Sequence, residues 1–191
     1  VFRSTNQGDD WERISPDLTH NDPDRLGDIQ FQTITALSES PITEGLLYAG
    51  SDAGRVHITR DGGEEWADIS AGLHPARFTS EVVASEYHES TVYVTQNGRR
   101  SDDFAPYVWR STDYGETWES IADGIPFGPV NIIREDPKNP SLLYLGNDVG
   151  VYVSLNRGGE WHALPEGLPS TFVHDLVIHP RDDIMVAATH G

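Results

Sequence analysis

Short apolar runs, bounded by glycine, proline or small polar residues, recur from one end of the chain to the other. TITALSES is followed by LLYAG, EVVASEY by TVYVT, VNIIRED by LLYLG, and VHDLVIH by IMVAAT. Runs this short between turn signals predict strands, and the short connections predict antiparallel pairing. A third run opens each cycle with Val1, Val56, Val108 or Val151, followed at once by a ring: Phe2, His57, Trp109 or Tyr152. Adjacent strand residues point to opposite faces, so bulk at both positions predicts a strand buried on both sides. A fourth short strand and a turn follow in ISPDL, ISAGL, IADGI and LPEGL. Four strands per cycle, with two buried faces, predict an all-β propeller built of four-stranded antiparallel blades. A β-sandwich would leave one face of each strand in water.

The phase of the cycle sets the domain reading. The single propeller region 1–191 divides into a half-blade at 1–15, whole blades at about 29–70, 80–122 and 129–165, and a half-blade at 172–191. The first half-blade holds the outer two strands of a blade and the last holds the inner two. Either these halves pair and close a ring, or the chain is an arc of a larger propeller.

Between third and fourth strands a motif repeats as RSTNQGDDW, ITRDGGEEW, RSTDYGETW and VSLNRGGEW. Its pattern is [ST]-x-[DN]-x-G-x-x-W, and its glycines lie 55, 52 and 43 residues apart. The last spacing matches one four-stranded blade, and the longer ones accommodate the insertions LTHNDPDRLGDIQFQ and NGRRSDDFAPY. Ser4, Thr59, Ser111 and Ser154 offer a hydroxyl to the turn, and Asn6, Asp61, Asp113 and Asn156 offer a stronger acceptor. Gly8, Gly63, Gly115 and Gly158 supply a positive φ. Trp11, Trp66, Trp118 and Trp161 start the outer strand and are expected to cover the hairpin with apolar surface. Two copies carry Asn, which exchanges no proton, so the motif reads as structural.

These four motifs resemble the Asp box, or BNR repeat, of sialidases, other glycoside hydrolases, sortilin-type receptors and photosystem assembly factors. The chain is most similar to large bacterial sortilin-like propeller proteins often labelled "glycosyl hydrolase". WERISPDLTHNDPDRLG, LLYAGSDAGRVHITRDGGEEW, SDDFAPYVWRSTDYGETW, REDPKNPSLLYLGNDVGVYVSLNRGGEW and VIHPRDDIMVAATHG carry that likeness over almost the whole chain. It implies a propeller whose ligand mouth lies opposite the Asp boxes, a place in the later part of a longer propeller, and export from the cytoplasm. Thr59 and the two Asn positions depart from the pattern in tolerated ways. The resemblance transfers no catalytic set: a sialidase site needs three clustered arginines and a Tyr nucleophile, and no residue here matches one to one.

Charge narrows the partners. Thirteen basic against 31 acidic side chains give a net charge of −18. Such a surface repels nucleic acid and anionic membranes, and no apolar run is long enough to insert. Zero cysteines exclude disulfides and thiolate chemistry. No metal-ligand spacing and no cofactor motif appears. The acidic stretch around Asp22, Asp24 and Asp28 is a weak calcium candidate without a regular loop pattern.

Residues present in every blade read as architecture, and exceptions read as candidates for function. Glu39, Glu86 and Glu135 recur, and read as solvated ends of innermost strands. Asp52 and Asp148 read as hairpin-turn residues, and His57 and Trp109 as core. The long insertion brings Arg99, Arg100, Phe104 and Tyr107 to the ligand side, and neighbouring turns bring Arg77, Phe127 and His174. Stacking and bidentate hydrogen bonds from such groups bind a peptide, protein or glycan. The bland alternative is a rim loop packing on its neighbour or on another domain. A second functional class, a glycoside hydrolase with paired carboxylates across the channel, draws its candidates from Glu81, Asp102, Asp103 and Asp175. Expected macromolecular partners are the remaining blades of a propeller or a second copy of the chain.

Overall fold

The structure is a computed structural model, and it describes residues 1–21, 32–164 and 170–190. The chain begins with a two-stranded sheet, β1 (Phe2–Arg3) and β2 (Glu12–Arg13). The first four-stranded sheet holds β3 (Ile34–Glu39), β4 (Leu47–Ser51), β5 (Val56–Thr59) and β6 (Ala67–Asp68). The second holds β7 (Phe78–Ala84), β8 (Val92–Asn97), β9 (Tyr107–Ser111) and β10 (Glu119–Ser120). The third holds β11 (Val130–Glu135), β12 (Leu143–Asn147), β13 (Val151–Ser154) and β14 (His162–Ala163). β15 (Phe172–His179) and β16 (Ile184–His190) form a last pair. Strands pair in chain order and every pairing is antiparallel. Each four-stranded sheet is a propeller blade.

The core lies between blades. Tyr48, Val56, Ile58, Val82 and Val94 join the first two blades; Tyr93, Val108, Ile133, Leu145 and Tyr152 join the second and third. Ile132, Val151, Val173 and Leu176 continue the packing to the final pair. Valine, isoleucine and tyrosine suit strands buried on both faces, and β5 is buried at every position. Phe2 departs from the ring column: among the described residues no earlier blade covers it, and it is exposed.

The corner motif adopts one geometry four times. In the second blade Ser111 Oγ donates to Asp113 Oδ1 at 2.7 Å and accepts the Gly115 N–H at 2.7 Å, while the Thr117 N–H donates to Asp113 Oδ1 at 2.9 Å. In the first pair Ser4, Asn6, Gly8 and Asp10 make the same set at 2.8 to 3.0 Å. Asn serves as well as Asp, so the acceptor is needed and the acid is not. The tryptophan, however, does more than cover its own hairpin. Trp66, Trp118 and Trp161 donate their indole N–H to the carbonyls of Ile14, Ile69 and Ile121, the residues just past the outer strand of the preceding blade. Each corner is therefore a latch between blades. Among the described residues no blade precedes Trp11, and it is 65% exposed where Trp161 is 4% exposed.

The half-blades do not pair with each other. β1–β2 and β15–β16 are separate sheets, so the described chain is an open arc.

Candidate binding site at one mouth of the channel

Antiparallel order fixes what shares a pole. The corners join third to fourth strands at one end of each blade. The turns between second and third strands, and the connections from each outer strand to the next innermost strand, lie at the other. Arg77, the insertion 98–106, Phe127 and His174 all fall there.

Each innermost strand starts with a bulge, at Ile34/Ala36, Thr79/Glu81, Val130/Ile132 and Val173/Asp175. The bulged residue turns its side chain toward the next blade. Thr35 Oγ1 donates to Thr79 O at 2.7 Å, Ser80 Oγ to Val130 O at 2.7 Å, and Asn131 Nδ2 to Val173 O at 3.0 Å. His174 occupies the same register position in the last pair, where it is exposed, with ring centroids of Phe172 and His190 at 4.6 and 5.7 Å. The sequence reading missed this ladder; its signal was a small hydrogen-bonding residue at one fixed position of each innermost strand.

The insertion packs across blades. A 3-10 turn at Arg99–Ser101 ends at Asp102, exposed at φ 53°. Arg99 forms a bidentate pair with Asp148, its Nε donating to Oδ2 at 3.1 Å, and its guanidinium carbon lies 4.0 Å from the Phe172 ring centre. Asn131 also donates to Asp148, at 3.0 Å, so this residue bridges blades as well as turning the hairpin. Arg100 is exposed, 5.0 Å above Phe78. Arg77 Nε and the Tyr107 hydroxyl both donate to Asp103 Oδ2, at 3.0 and 2.6 Å. The Tyr107 bond, helped by the Ala105 N–H and Arg77, holds the Asp103 carboxyl below the usual range. Phe104 and Phe127 are exposed and stacked, with centroids 6.1 Å apart and planes at 26°. The rim thus combines an open aromatic pair with Arg99, held against the next two sheets, and with Arg77 and Arg100, which pack within their own blade.

Deeper in, Arg134 of β11 reaches residues of two neighbouring blades. Its Nη1 lies 3.1 Å from Glu81 Oε2, its Nη2 lies 3.1 Å from Asp175 Oδ1, and its Nε donates to Leu176 O. Burial pushes the Glu81 carboxyl up, with Arg134 pulling the other way. The structure therefore brings Glu81 and Asp175 together around one cation, while Asp103 is engaged by Arg77 and Tyr107. Arg134 was not singled out in the sequence; no motif surrounds it.

Glu135 corrects the reading of solvated strand ends. It is buried and accepts the Ser85 hydroxyl at 2.9 Å, the Glu86 N–H at 2.7 Å and the Tyr93 hydroxyl at 3.3 Å. Glu86 is exposed and lies out of register with it, because Ser85 and Asp136 are the matching turn residues. His57 is core, and burial lowers its basicity. Among the described residues no acidic or histidine cluster could hold a metal ion, and no helix is long and apolar enough to cross a membrane. Asp22, Asp24 and Asp28 lie outside the described residues.

No family model and no curated protein matches the chain. Solved structures do match. An ancestral GH74 enzyme superposes at TM-score 0.74 with 17% identity, over 98% of this chain and 24% of that one. The GH74 xyloglucanase from Xanthomonas campestris gives 0.65 at 16% identity, over 98% and 32%. YCF48 bound to D1 peptide gives 0.61 at 20% identity, over 81% and 47%. The fold is that of a β-propeller. Identity this low carries the fold and nothing finer, and the chain spans about a quarter to a half of these proteins.

Proposed function

We propose that the chain is a non-catalytic binding module of the sortilin-like, Asp-box kind, taking a peptide, protein or glycan at the mouth opposite its corners. The same reading has the protein working outside the cytoplasm, as the resemblance implies. The observation that carries it is the clasp of Glu81 and Asp175 on Arg134. Glycoside hydrolysis needs two carboxyl groups separated by room for the sugar and, in inverting enzymes, a water. Here the space between the two acids is filled by a guanidinium that neutralises both. Asp103, held ionised, is a poor proton donor. The rim, by contrast, offers the open Phe104–Phe127 plates for stacking, with the exposed Arg100 in the same insertion for carboxylate or hydroxyl groups, while Arg99 is engaged by Asp148. The likeness to a peptide-bound YCF48 structure and to GH74 enzymes supports ligands of both kinds as the first to try.

The hydrolase alternative draws on the raised Glu81 carboxyl and the GH74 likeness. One experiment separates the two readings. Binding to a glycan array and a peptide library is measured for the wild type and for Phe104→Ala and Phe127→Ala, alongside release of reducing sugar from the same glycans. Saturable binding lost in either variant, without turnover, supports the module. Turnover abolished by Glu81→Gln overturns it in favour of the hydrolase.

A further inference from the structure

Opposed residues run in rows across each blade, and the rows end differently at the outer strands. In the first blade the row reads Ser38, Tyr48, Ile58, Ala67. In the second it reads Val83, Tyr93, Arg110, Glu119, and in the third Arg134, Tyr144, Val153, His162. Arg110 forms an ion pair with Glu119 and its Nη1 donates to Arg157 O at 2.8 Å, so the outer end of the second row is filled and a cleft of only 160 Å³ remains. The first row ends in the apolar pair Ile58 and Ala67 instead. There a cleft of about 400 Å³ opens between the first and second corners, between two whole blades and away from both ends of the arc.

Its lining is apolar at Ile58, Ala67 and Ile69, and Tyr114 stands at one side. The Tyr114 hydroxyl donates to Glu89 Oε1 at 2.8 Å, and the ring carries the guanidinium carbon of Arg60 3.9 Å from its centre, so the ring is fixed and one face is taken. Three carboxylates complete the lining against this one guanidinium. Asp61 serves its own corner, accepting the Thr59 hydroxyl at 2.7 Å and the Glu65 N–H at 3.0 Å. Glu65 and Glu116 come from different blades and are exposed; among the described residues neither takes part in an ion pair. An apolar lining with carboxylates at its edge suits a side chain with an aliphatic stem and a cationic head. Arginine gains most from stacking, and Arg60 already covers the ring that would stack it; an ammonium needs only the carboxylates.

We propose that this cleft seats a lysine side chain from a basic segment of a partner protein, with its stem against Ile58, Ala67 and Ile69 and its ammonium at Glu65 and Glu116. The net charge of −18 favours the approach of such a partner. The cleft lies at the pole opposite the mouth, so the two sites do not compete.

The probe is N-acetyl-lysine methylamide, titrated into the isotope-labelled chain and followed by amide NMR at ~0.15 M salt, where charges more than about 8 Å apart are largely screened. The expected result is a set of saturable shifts confined to residues 58–69 and 114–116. N-acetyl-norleucine methylamide, which keeps the stem and lacks the charge, should leave the spectrum unchanged. Glu65→Gln with Glu116→Gln should weaken binding roughly fivefold, as the loss of two exposed ion pairs implies. Ala67→Leu fills the lining from an exposed strand position and should abolish binding. Arg60→Ala should tighten it, by removing a like charge and uncovering the Tyr114 ring. All these positions are exposed, and circular dichroism checks that each variant keeps the fold. Shifts that never saturate or that spread over the other corners, equal binding of the norleucine analogue, or binding lost in Arg60→Ala, the mark of an anionic occupant, overturns the proposal.

Discussion

If the corners latch one blade to the next, equal mutations at equivalent glycines must cost unequal amounts. Gly8 and Gly63 hold the same place in the motif, with φ of 95° and 104°. Replacing either with Ala puts a Cβ on a left-handed backbone, at about 1–2 kcal/mol. The surroundings differ. A Cβ on Gly63 would lie 2.4 Å from the Ile14 carbonyl oxygen and 2.8 Å from Ile14 Cβ, whereas on Gly8 its nearest neighbour is Trp11 Cζ2 at 3.9 Å. That oxygen cannot retreat freely, because it also accepts the Trp66 indole N–H at 2.8 Å. Relief means moving one blade edge against another, and overpacking of this kind costs a further ~1–3 kcal/mol. Gly63→Ala should therefore destabilise by roughly 2–5 kcal/mol and Gly8→Ala by about 1–2, a large gap against the ~5–15 kcal/mol that holds a typical domain. Urea unfolding followed by tryptophan fluorescence and far-ultraviolet circular dichroism measures both. Equal losses at the two sites would refute the latch and return the corner to a feature of its own hairpin.

Two further outcomes follow from the titrating groups. Asp113 has its carboxyl held down at about 2 by the Thr117 and Ser111 hydrogen bonds, so its stabilisation is present above the ordinary value of 3.8 and is lost as pH falls toward 2. Asp113→Asn should keep the corner, as Asn6 and Asn156 do, and remove part of the acid-induced fall in melting temperature; an unfolded variant at neutral pH would show that the acid, and not only an acceptor, is needed there. Glu135 is the opposite case: burial raises its carboxyl above 4.5, so the native state holds its proton more tightly and stability declines as pH rises from 4.5 through the raised value. Calorimetric scans between pH 4 and 7 should show that slope flattened in Glu135→Gln; an unchanged slope would assign the decline to other groups.

The blades were legible because each one repeats the same instruction. Valine and a ring on the third strand, a corner with glycine and tryptophan, and two apolar runs all fall at the same phase, and local preferences agree with the packing they meet. What the repeat could not reveal is anything that one blade does to another. The destination of the tryptophan N–H is a carbonyl some 40 to 52 residues earlier in the chain, and no spacing within a motif points to it. Glu135 was misjudged for a related reason: aligning SES, SEY and RED by letters matches Glu86 with Glu135, while the hydrogen-bonded turns match Ser85 with Asp136. Register is a property of strand pairing, and a one-residue slip reverses which face a side chain takes.

The candidate site shows the same limit more sharply, and also why it lies where it does. Its members come from separate blades and meet only because the arc curves: Glu81, Arg134 and Asp175 are each unremarkable in sequence and form a unit only across three innermost strands. The rim differs from blade to blade, whereas the corner repeats the same residues. Corner residues are bound on both sides, by their own turn and by the neighbouring blade, so substitution there disturbs packing before it alters chemistry. The insertion carrying Arg99, Arg100 and Phe104 meets the next blade through the Arg99–Asp148 pair and the Gly128 N–H to Phe104 O bond, and leaves Phe104 and Arg100 exposed. Binding at the mouth opposite the four tryptophan corners, as proposed above, would therefore draw on the residues that differ between blades and leave the repeated corners to the packing.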